Sequence, residues 1–363
     1  MTENKKIHIV IGTKAQLIKM APIMVELEAR KIPYNYIFTG QHNLTMDELR
    51  ENFNIKAPDI TLYKGKDITG VFQSMIWLFS ICAKTIFKKK EILGKTDKSH
   101  ILLTHGDTFS TILGALMGKI ARIKVAHVES GLRSFHIFSP FPEEINRLLT
   151  FRLSDIYFCP GKWALNNIKK YKGEKIDTNY NTLFDSLQLA LKKTDTKIDL
   201  PKEDYAVVSL HRFENIFSPT RFEKIIELLI ETSKTIKLLF ILHEPTRLRL
   251  EKTGLIKRIK ENKNIELRPR YDYFKFVKLI HNAKFIMTDG GSNQEECFYL
   301  GKPCLIMRET TERTEGLGKN ALISKFDKEI IKNFSQNYKQ FEIDPKKEID
   351  SPTNIIVNRI TKN

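Results

Sequence analysis

The 363-residue sequence predicts an α/β protein made of two doubly wound, parallel-sheet units in tandem. Three observations predict it. Short apolar runs alternate with stretches of helical periodicity, the pattern of βαβ units. The alternation stops at a charged, proline-containing stretch, residues 192–204 (KKTDTKIDLPKED), and then restarts. At six places a polar residue directly follows an apolar run: Gly12-Thr13, His105 to Asp107, Glu129, His211, His243 and Asp289 to Ser292. Ligand residues of parallel sheets sit there, beyond the carboxyl ends of the strands, and two such units in tandem suggest a ligand cleft between them.

The elements follow in order. Residues 7–11 (IHIVI) form a strand ending at Gly12, and residues 14–30 place Leu17, Ile18, Met20, Ala21, Met24, Val25 and Leu27 at helical spacing. Residues 36–39 are a second strand. The most apolar stretch, 71–87, is interrupted by Gln73, Ser74, Ser80 and Lys84. It falls short of the roughly 20 residues that span a bilayer. It reads as a buried or amphipathic helix, with Lys88, Lys89 and Lys90 as its solvated end. Residues 101–104 (ILLT) are a strand before His105-Gly106-Asp107, a helix covers 110–121, and 124–128 (KVAHV) is a strand leading into Glu129. Past the polar stretch come a strand at 206–210, a helix at 219–237 and strands at 238–242 and 265–267. A helix at 273–282 and a strand at 285–288 follow. Asp289-Gly290-Gly291-Ser292 then opens a helix at 293–299, and 303–307 (PCLIM) is the next strand. The polar tail ends in a helix at 355–360.

Composition narrows the function classes. With 41% hydrophobic and 28% charged residues the chain folds rather than staying disordered. A net charge of +17 favours anionic partners, or simply marks a lysine-rich surface. No nucleic-acid-binding module and no interleaving of basic and aromatic residues is present, so nucleic acid is not expected as a partner. Cys82, Cys159, Cys297 and Cys304 form neither a disulfide scaffold nor a zinc-ligand spacing, so no metal is expected. The start of the chain lacks a signal-peptide layout, and the expected compartment is the cytoplasm, without stable membrane insertion. A nicotinamide cofactor is not expected, because no GxGxxG follows the first strand.

Two groups of residues can carry chemistry. Glycines before a helix let backbone amides approach phosphate, so Gly290-Gly291-Ser292 is either a phosphate cradle or a tight turn with a capping serine. Glu296 in that helix can accept from ribose hydroxyls or complement the helix dipole. His211-Arg212 and Arg308 to Arg313 add cations able to hold a diphosphate, and Lys14 and Lys19 flank the first loop. The second group is carboxylates. Asp107 and Glu129 end successive strands, and Glu143 and Glu144 follow Pro140-Phe141-Pro142 before a helix carrying Asn146 and Arg147. Carboxylates meeting in one cleft repel each other, which separates an acid from a base. His127, inside a strand, reads as a satisfied core histidine.

Taken in order, these motifs resemble the UDP-N-acetylglucosamine 2-epimerases. The resemblance is carried by residues 12–22 (GTKAQLIKMAP), 39–42 (TGQH), 105–108 (HGDT), 127–133 (HVESGLR), 142–147 (PEEINR), and 181–182 with Asp185. It continues through 211–212, 288–296 (TDGGSNQEE), 301–303 (GKP) and 311–313 (TER). The family pattern reads GTRPExIK in the first loop, whereas here Lys14 replaces the arginine and Gln16 the glutamate. Lys14 keeps the charge but not the bidentate fork. The family's SGG becomes Gly290-Gly291-Ser292 and its GNT becomes Tyr180-Asn181-Thr182.

The resemblance implies a GT-B fold, two Rossmann-like domains with a UDP-sugar between them. The expected domains are 1–175, joined by the C-terminal helix 345–363, and 176–344 as the UDP-binding domain. It implies elimination of UDP from UDP-GlcNAc to an enzyme-bound 2-acetamidoglucal. UDP then adds back with C2 inverted, giving UDP-ManNAc for a surface polysaccharide, with no cofactor. Asp107, Glu129 and Glu143 fall on the catalytic carboxylate positions, and His211 on the histidine that helps UDP leave. Lys14, Lys19, Arg147, His243, Gly291, Ser292, Glu296 and Arg313 fall among the substrate-binding positions. The retained Gln41-His42 points to the non-hydrolysing branch, and the family implies a homodimer. The alternatives are a hydrolysing epimerase that releases ManNAc and UDP, and a GT-B glycosyltransferase.

Overall fold

The computed structural model describes residues 6–42, 46–68, 70–137, 141–194, 196–346 and 350–362. Pro140 and residues 347–349 of the tail lie outside them. The chain divides into two compact units, Met1–Leu189 with Asp350–Asn363, and Ala190–Ile349.

Among the described residues of the first unit, seven strands form one sheet: β1 (Ile7–Ile11), β2 (Tyr34–Phe38), β3 (Ile60–Thr61), β4 (Ile101–His105), β5 (Lys124–Val128), β6 (Ile156–Cys159) and β7 (Glu174–Asp177). All pair in parallel, in the order β3-β2-β1-β4-β5-β6-β7. The second unit has β8 (Tyr205–Ser209), β9 (Lys237–Leu242), β10 (Ile265–Pro269), β11 (Ile286–Thr288), β12 (Cys304–Ile306) and β13 (Ala321–Ile323), also parallel, in the order β10-β9-β8-β11-β12-β13. Counted within its own unit, each sheet runs 3-2-1-4-5-6, with a seventh strand added in the first. This is the Rossmann order, whose switch point lies between local strands 1 and 4.

The central strands are apolar because helices cover both faces of a parallel sheet. All five residues of β1 and of β4 are buried. Val10, Ile37 and Leu102 of the first sheet pack against Leu113 and Met117. In the second unit Val208, Phe240 and Met287 pack with Phe222 and Ile225. Each such side chain contributes roughly 1.5–3 kcal/mol on burial.

Some elements differ from expectation. The helix expected over 219–237 is Pro219–Thr232; Ser233 caps it, and a turn precedes β9. β3, β6, β7 and β13 were not expected. The stretch 71–87 is one helix, Val71–Phe87, with Trp77, Ile81 and Thr85 buried and Phe72, Ile76 and Phe79 exposed. The last helix, Pro352–Thr361, joins the first unit. The Asp185 carboxylate accepts from the Thr353 amide (2.9 Å), Arg359 pairs with Glu174, and Arg30 donates to Asn358 (2.6 Å).

Candidate active site

In the first unit the switch point lies between β1 and β4. Thr13 caps the helix Lys14–Ala29, accepting from the Gln16 amide in a capping box. Gly12 has no room for a side chain: a Cβ there would lie 1.9 Å from Ser110 Oγ and 2.1 Å from Thr39 Oγ1. That close approach brings the loop after β1 against the start of the helix Phe109–Ala121. Gln41 closes the same corner, its Oε1 accepting from Ser110 N (3.1 Å) and Ser110 Oγ (2.6 Å).

Glu129, the residue after β5, sits in left-handed backbone at φ +60°. Such a conformation in a glutamate costs of order 1–3 kcal/mol and persists only where surroundings enforce it. Here they do. Lys19 Nζ and Asn181 Nδ2 both donate to Glu129 Oε1 at 2.5 Å, and His105 Nε2 stands 3.3 Å from Oε2. Lys19 and Glu129 are nearly buried, with side chains 6% and 7% exposed, so this is an ion pair out of water. A Cβ on Gly106 would lie 3.6 Å from Glu129 Oε2, so the loop after β4 runs beside this carboxylate.

Asp107 belongs to a second cluster. Arg147 donates to Asp107 Oδ2 from Nε (2.9 Å) and Nη2 (2.5 Å), and Asn146 Nδ2 donates to the Asp107 carbonyl (2.8 Å). Arg147 Nη1 also donates to Glu144 Oε2 (3.1 Å), while Arg133 and the Ser134 amide hold the same carboxylate. Burial would raise the Glu144 carboxyl, but Arg133, Ser134 and Arg147 together hold it below the ordinary range. Burial would likewise lower the Arg147 pKa, and Asp107 and Glu144 raise it instead. Behind the loop, His127 Nε2 donates to the Gly106 carbonyl (2.7 Å). Burial pushes its pKa down to about 4, so it is a neutral core histidine that also supports the Asp107 loop.

The second unit repeats the arrangement between β8 and β11. Asp289, 1% exposed, accepts from the backbone amides of His211 (3.0 Å) and Arg212 (3.0 Å) and from Asn215 Nδ2 (3.0 Å). It thereby shapes the loop that carries His211. The His211 ring stacks on His243, centroids 4.4 Å apart at 21°, and Nδ1 lies 3.5 Å from Asp289 Oδ1. Burial lowers the His211 pKa, Asp289 opposes the shift, and Arg212 and Arg270 add to it.

The helix Gly291–Leu300 begins beside this loop. A Cβ on Gly290 would lie 3.1 Å from His211 Cε1, and one on Gly291 would lie 3.3 Å from Arg313 Cγ. The open amides of a first helical turn favour anions there. Glu312 accepts from Arg212 (2.9 Å) and Arg308 (2.8 Å); burial alone would raise its carboxyl, but the two guanidiniums bring it down to about 2. Glu296 Oε2 accepts from Asn293 Nδ2 (2.9 Å), and Arg313 Nη1 stands 3.2 Å from Glu295 Oε2.

Of the expected residues in the first unit, the structure brings Lys19 to Glu129 and Arg147 to Asp107. Lys14 is half-buried at the first position of its helix. Glu143 is half-buried at the start of the helix Glu143–Leu153, and its neighbour Glu144 is the carboxylate joined to Arg147. In the second unit His211 meets His243, Gly291 meets Arg313, and Ser292 is exposed in the first helical turn. The sequence named Asn181, His105, Glu144 and Asp289 without their company: Asn181 and His105 stand beside Glu129, Glu144 beside Arg147, and Asp289 under His211. The acid of the HGD and DGG triplets was visible in sequence, but the pairings were not. Among the described residues no group of three or more His, Cys, Asp or Glu side chains is placed to hold a metal ion. No helix among them is long and apolar enough to cross a membrane.

A family model described as UDP-N-acetylglucosamine 2-epimerase matches residues 25–354. A UDP-N-acetylglucosamine 2-epimerase homolog of Methanococcus maripaludis is 36% identical over 346 residues, covering 91% of this chain and 92% of that protein. A UDP-2,3-diacetamido-2,3-dideoxy-D-glucuronate 2-epimerase of Pseudomonas aeruginosa is 32% identical over 329 residues, covering 88% of each. The crystal structure of the UDP-GlcNAc 2-epimerase of Neisseria meningitidis, bound to UDP-GlcNAc, superposes with a TM-score of 0.82 at 28% identity, covering 98% of this chain and all of that one.

Proposed function

The chain belongs to the UDP-N-acetylglucosamine 2-epimerase family, with that family's GT-B fold, and on that premise we propose that it interconverts UDP-GlcNAc and UDP-ManNAc, or a closely related UDP-2-acetamido sugar pair, without hydrolysis. The observation that carries the reading is the pair of carboxylates ending neighbouring strands, Asp107 after β4 and Glu129 after β5. Each is held by its own cation, Arg147 and Lys19. The reaction needs such groups. The C2–H bond breaks as a carboxylate takes the proton, the electron pair forms C1=C2, and the C1–O pair departs with UDP. On return, a UDP oxygen bonds C1 and C2 receives a proton on the opposite face. The C2 proton is weakly acidic until C1–O cleavage develops positive charge, so proton removal and departure of UDP assist one another.

The roles divide accordingly. Asp107, Glu129 and Glu143 are the carboxylates proposed to move the C2 proton, and Lys14, Lys19 and Arg147 to hold the sugar. His211, the amides at Gly291 and Ser292, and Arg313 are proposed to stabilise the departing diphosphate, with His243 stacked behind His211. A diphosphate beside His211 would raise its pKa and draw a proton onto the ring. Glu296 is proposed to accept from the ribose hydroxyls. The pyrophosphate of any UDP-sugar can use this cradle, whereas the hexose pattern depends on contacts near Asp107 and Glu129. Proton NMR with UDP-GlcNAc in deuterium oxide tests the reading.

We further propose a homodimer formed through the helix Val71–Phe87. Phe72, Ile76, Phe79 and Phe87 form a stripe at helical spacing and are 76%, 57%, 67% and 87% exposed, while the opposite face enters the core. Monomers rarely leave so contiguous an apolar surface uncovered, and a twofold axis lets one stripe cover another. Sedimentation velocity should find a dimer for the protein and a folded monomer for Phe79→Glu. A monomeric wild type, or a variant that still dimerises, contradicts this.

A further inference from the structure

Gln16 is 1% exposed and spends every polar atom of its side chain. Its Oε1 accepts from the amides of Gly12 (2.9 Å) and Thr13 (3.2 Å). Its Nε2 donates to the His105 carbonyl (2.7 Å) and to Thr111 Oγ1 (3.1 Å). The accepting half belongs to the capping box of its own helix. The donating half reaches 89 residues along the chain to the loop that presents Asp107.

That loop is fixed on both sides of Asp107. Before it, the His105 carbonyl accepts from Gln16 and from Thr111 Oγ1 (2.6 Å). After it, the Thr108 amide donates to Thr111 Oγ1 (3.0 Å). The ring of His105 in turn stands against Glu129. One buried amide therefore sets the backbone from which both carboxylate clusters are reached. A neutral amide does this without taking up a proton, because it donates and accepts at once. A carboxylate of the same shape would keep the two bonds to Gly12 and Thr13 but turn an anionic oxygen toward the His105 carbonyl. A buried carbonyl left facing such an oxygen moves away.

We propose that Gln16 is a positioning residue for the reaction, its Nε2 locking the His105–Asp107 loop so that Asp107 and Glu129 stand where C2 needs them. The inference rests on the C2 chemistry proposed above.

The test is steady-state C2 exchange on UDP-GlcNAc by the full-length protein and by Gln16→Glu, Gln16→Met and Thr111→Val. Displacing a reacting group by about 1 Å costs on the order of 100-fold in rate. Gln16→Glu should therefore lose roughly 10- to 100-fold in kcat with KM within about threefold of wild type. Gln16→Met should fall at least as far, and Thr111→Val, which removes the second leg of the lock, should show the same split. A residue that only caps its helix would leave Gln16→Glu at the wild-type kcat and damage Gln16→Met alone, and that result overturns the inference. If the Gln16 variants do not fold, Thr111→Val decides: an unchanged kcat overturns the inference as well. Absence of C2 exchange in the wild type would instead defeat the functional reading itself, so the two failures are distinguishable.

Discussion

Asp107→Asn and Glu129→Gln are each expected to abolish measurable epimerisation, with C2 exchange reduced on the order of 10²- to 10⁴-fold, the range for removing a positioned acid or base. The two differ in their side effects. Asp107→Asn leaves Arg147 paired with Glu144, so its thermal stability should stay close to wild type. Glu129→Gln strands Lys19 beside a neutral amide in a site closed to water. Removing one partner of a buried pair costs roughly 3–5 kcal/mol, so this variant should also unfold at a lower temperature. Both should still show UDP-induced thermal stabilisation, because the groups proposed to hold the diphosphate belong to the other unit. Turnover at the wild-type rate in either variant would remove the proposed catalytic assignment.

His211→Ala is expected to weaken UDP binding and turnover together. The ring is proposed to meet the diphosphate both in the bound substrate and as UDP departs, so its loss raises KM and lowers kcat. Asp289→Ala should reproduce much of this effect from beneath. It leaves the backbone amides of His211 and Arg212 without their acceptor, while Asn215 Nδ2 keeps its bond to the Met307 carbonyl (3.0 Å), and each donor so abandoned costs about 1–3 kcal/mol. Calorimetric titration with UDP should show affinity falling at least tenfold in both, a change of about 1.4 kcal/mol. Wild-type affinity in His211→Ala would contradict the proposed diphosphate contact. Wild-type affinity in Asp289→Ala would show that the loop holds its shape without the carboxylate.

Much of this molecule is legible in its sequence, and the reasons are physical. Central strands such as IHIVI and ILLT must be apolar on both faces, so they announce themselves, and the polar residue after each is where a switch point delivers it. The edge strands carry no such signal. β7 reads EKID and is half-exposed, and β3 has two residues and β13 three. The helix expected to run to residue 237 overshot because Ser233 and Thr235, whose hydroxyls bond back to the preceding turn, close it before β9 begins. In the site, the carboxylates were visible but their company was not. Asn181 meets Glu129 across 52 residues, and Arg147 meets Asp107 across 40. No periodicity encodes such meetings; they follow from strand order. The left-handed backbone of Glu129 was equally silent, since glutamate gives no hint of it where glycine would. The pairing of Arg147 with Glu144, three residues earlier on the same helix, was likewise not read from the sequence.

The most direct measurement follows the sugar itself. Purified protein is mixed with UDP-GlcNAc in deuterium oxide, and the anomeric and C2 proton signals are recorded by NMR over time. The account predicts growth of UDP-ManNAc, with the C2 proton replaced by deuterium in both nucleotide sugars. Release of free ManNAc and UDP would contradict the non-hydrolysing course, and an undiminished C2 proton signal across a panel of UDP-2-acetamido sugars would contradict the account as a whole.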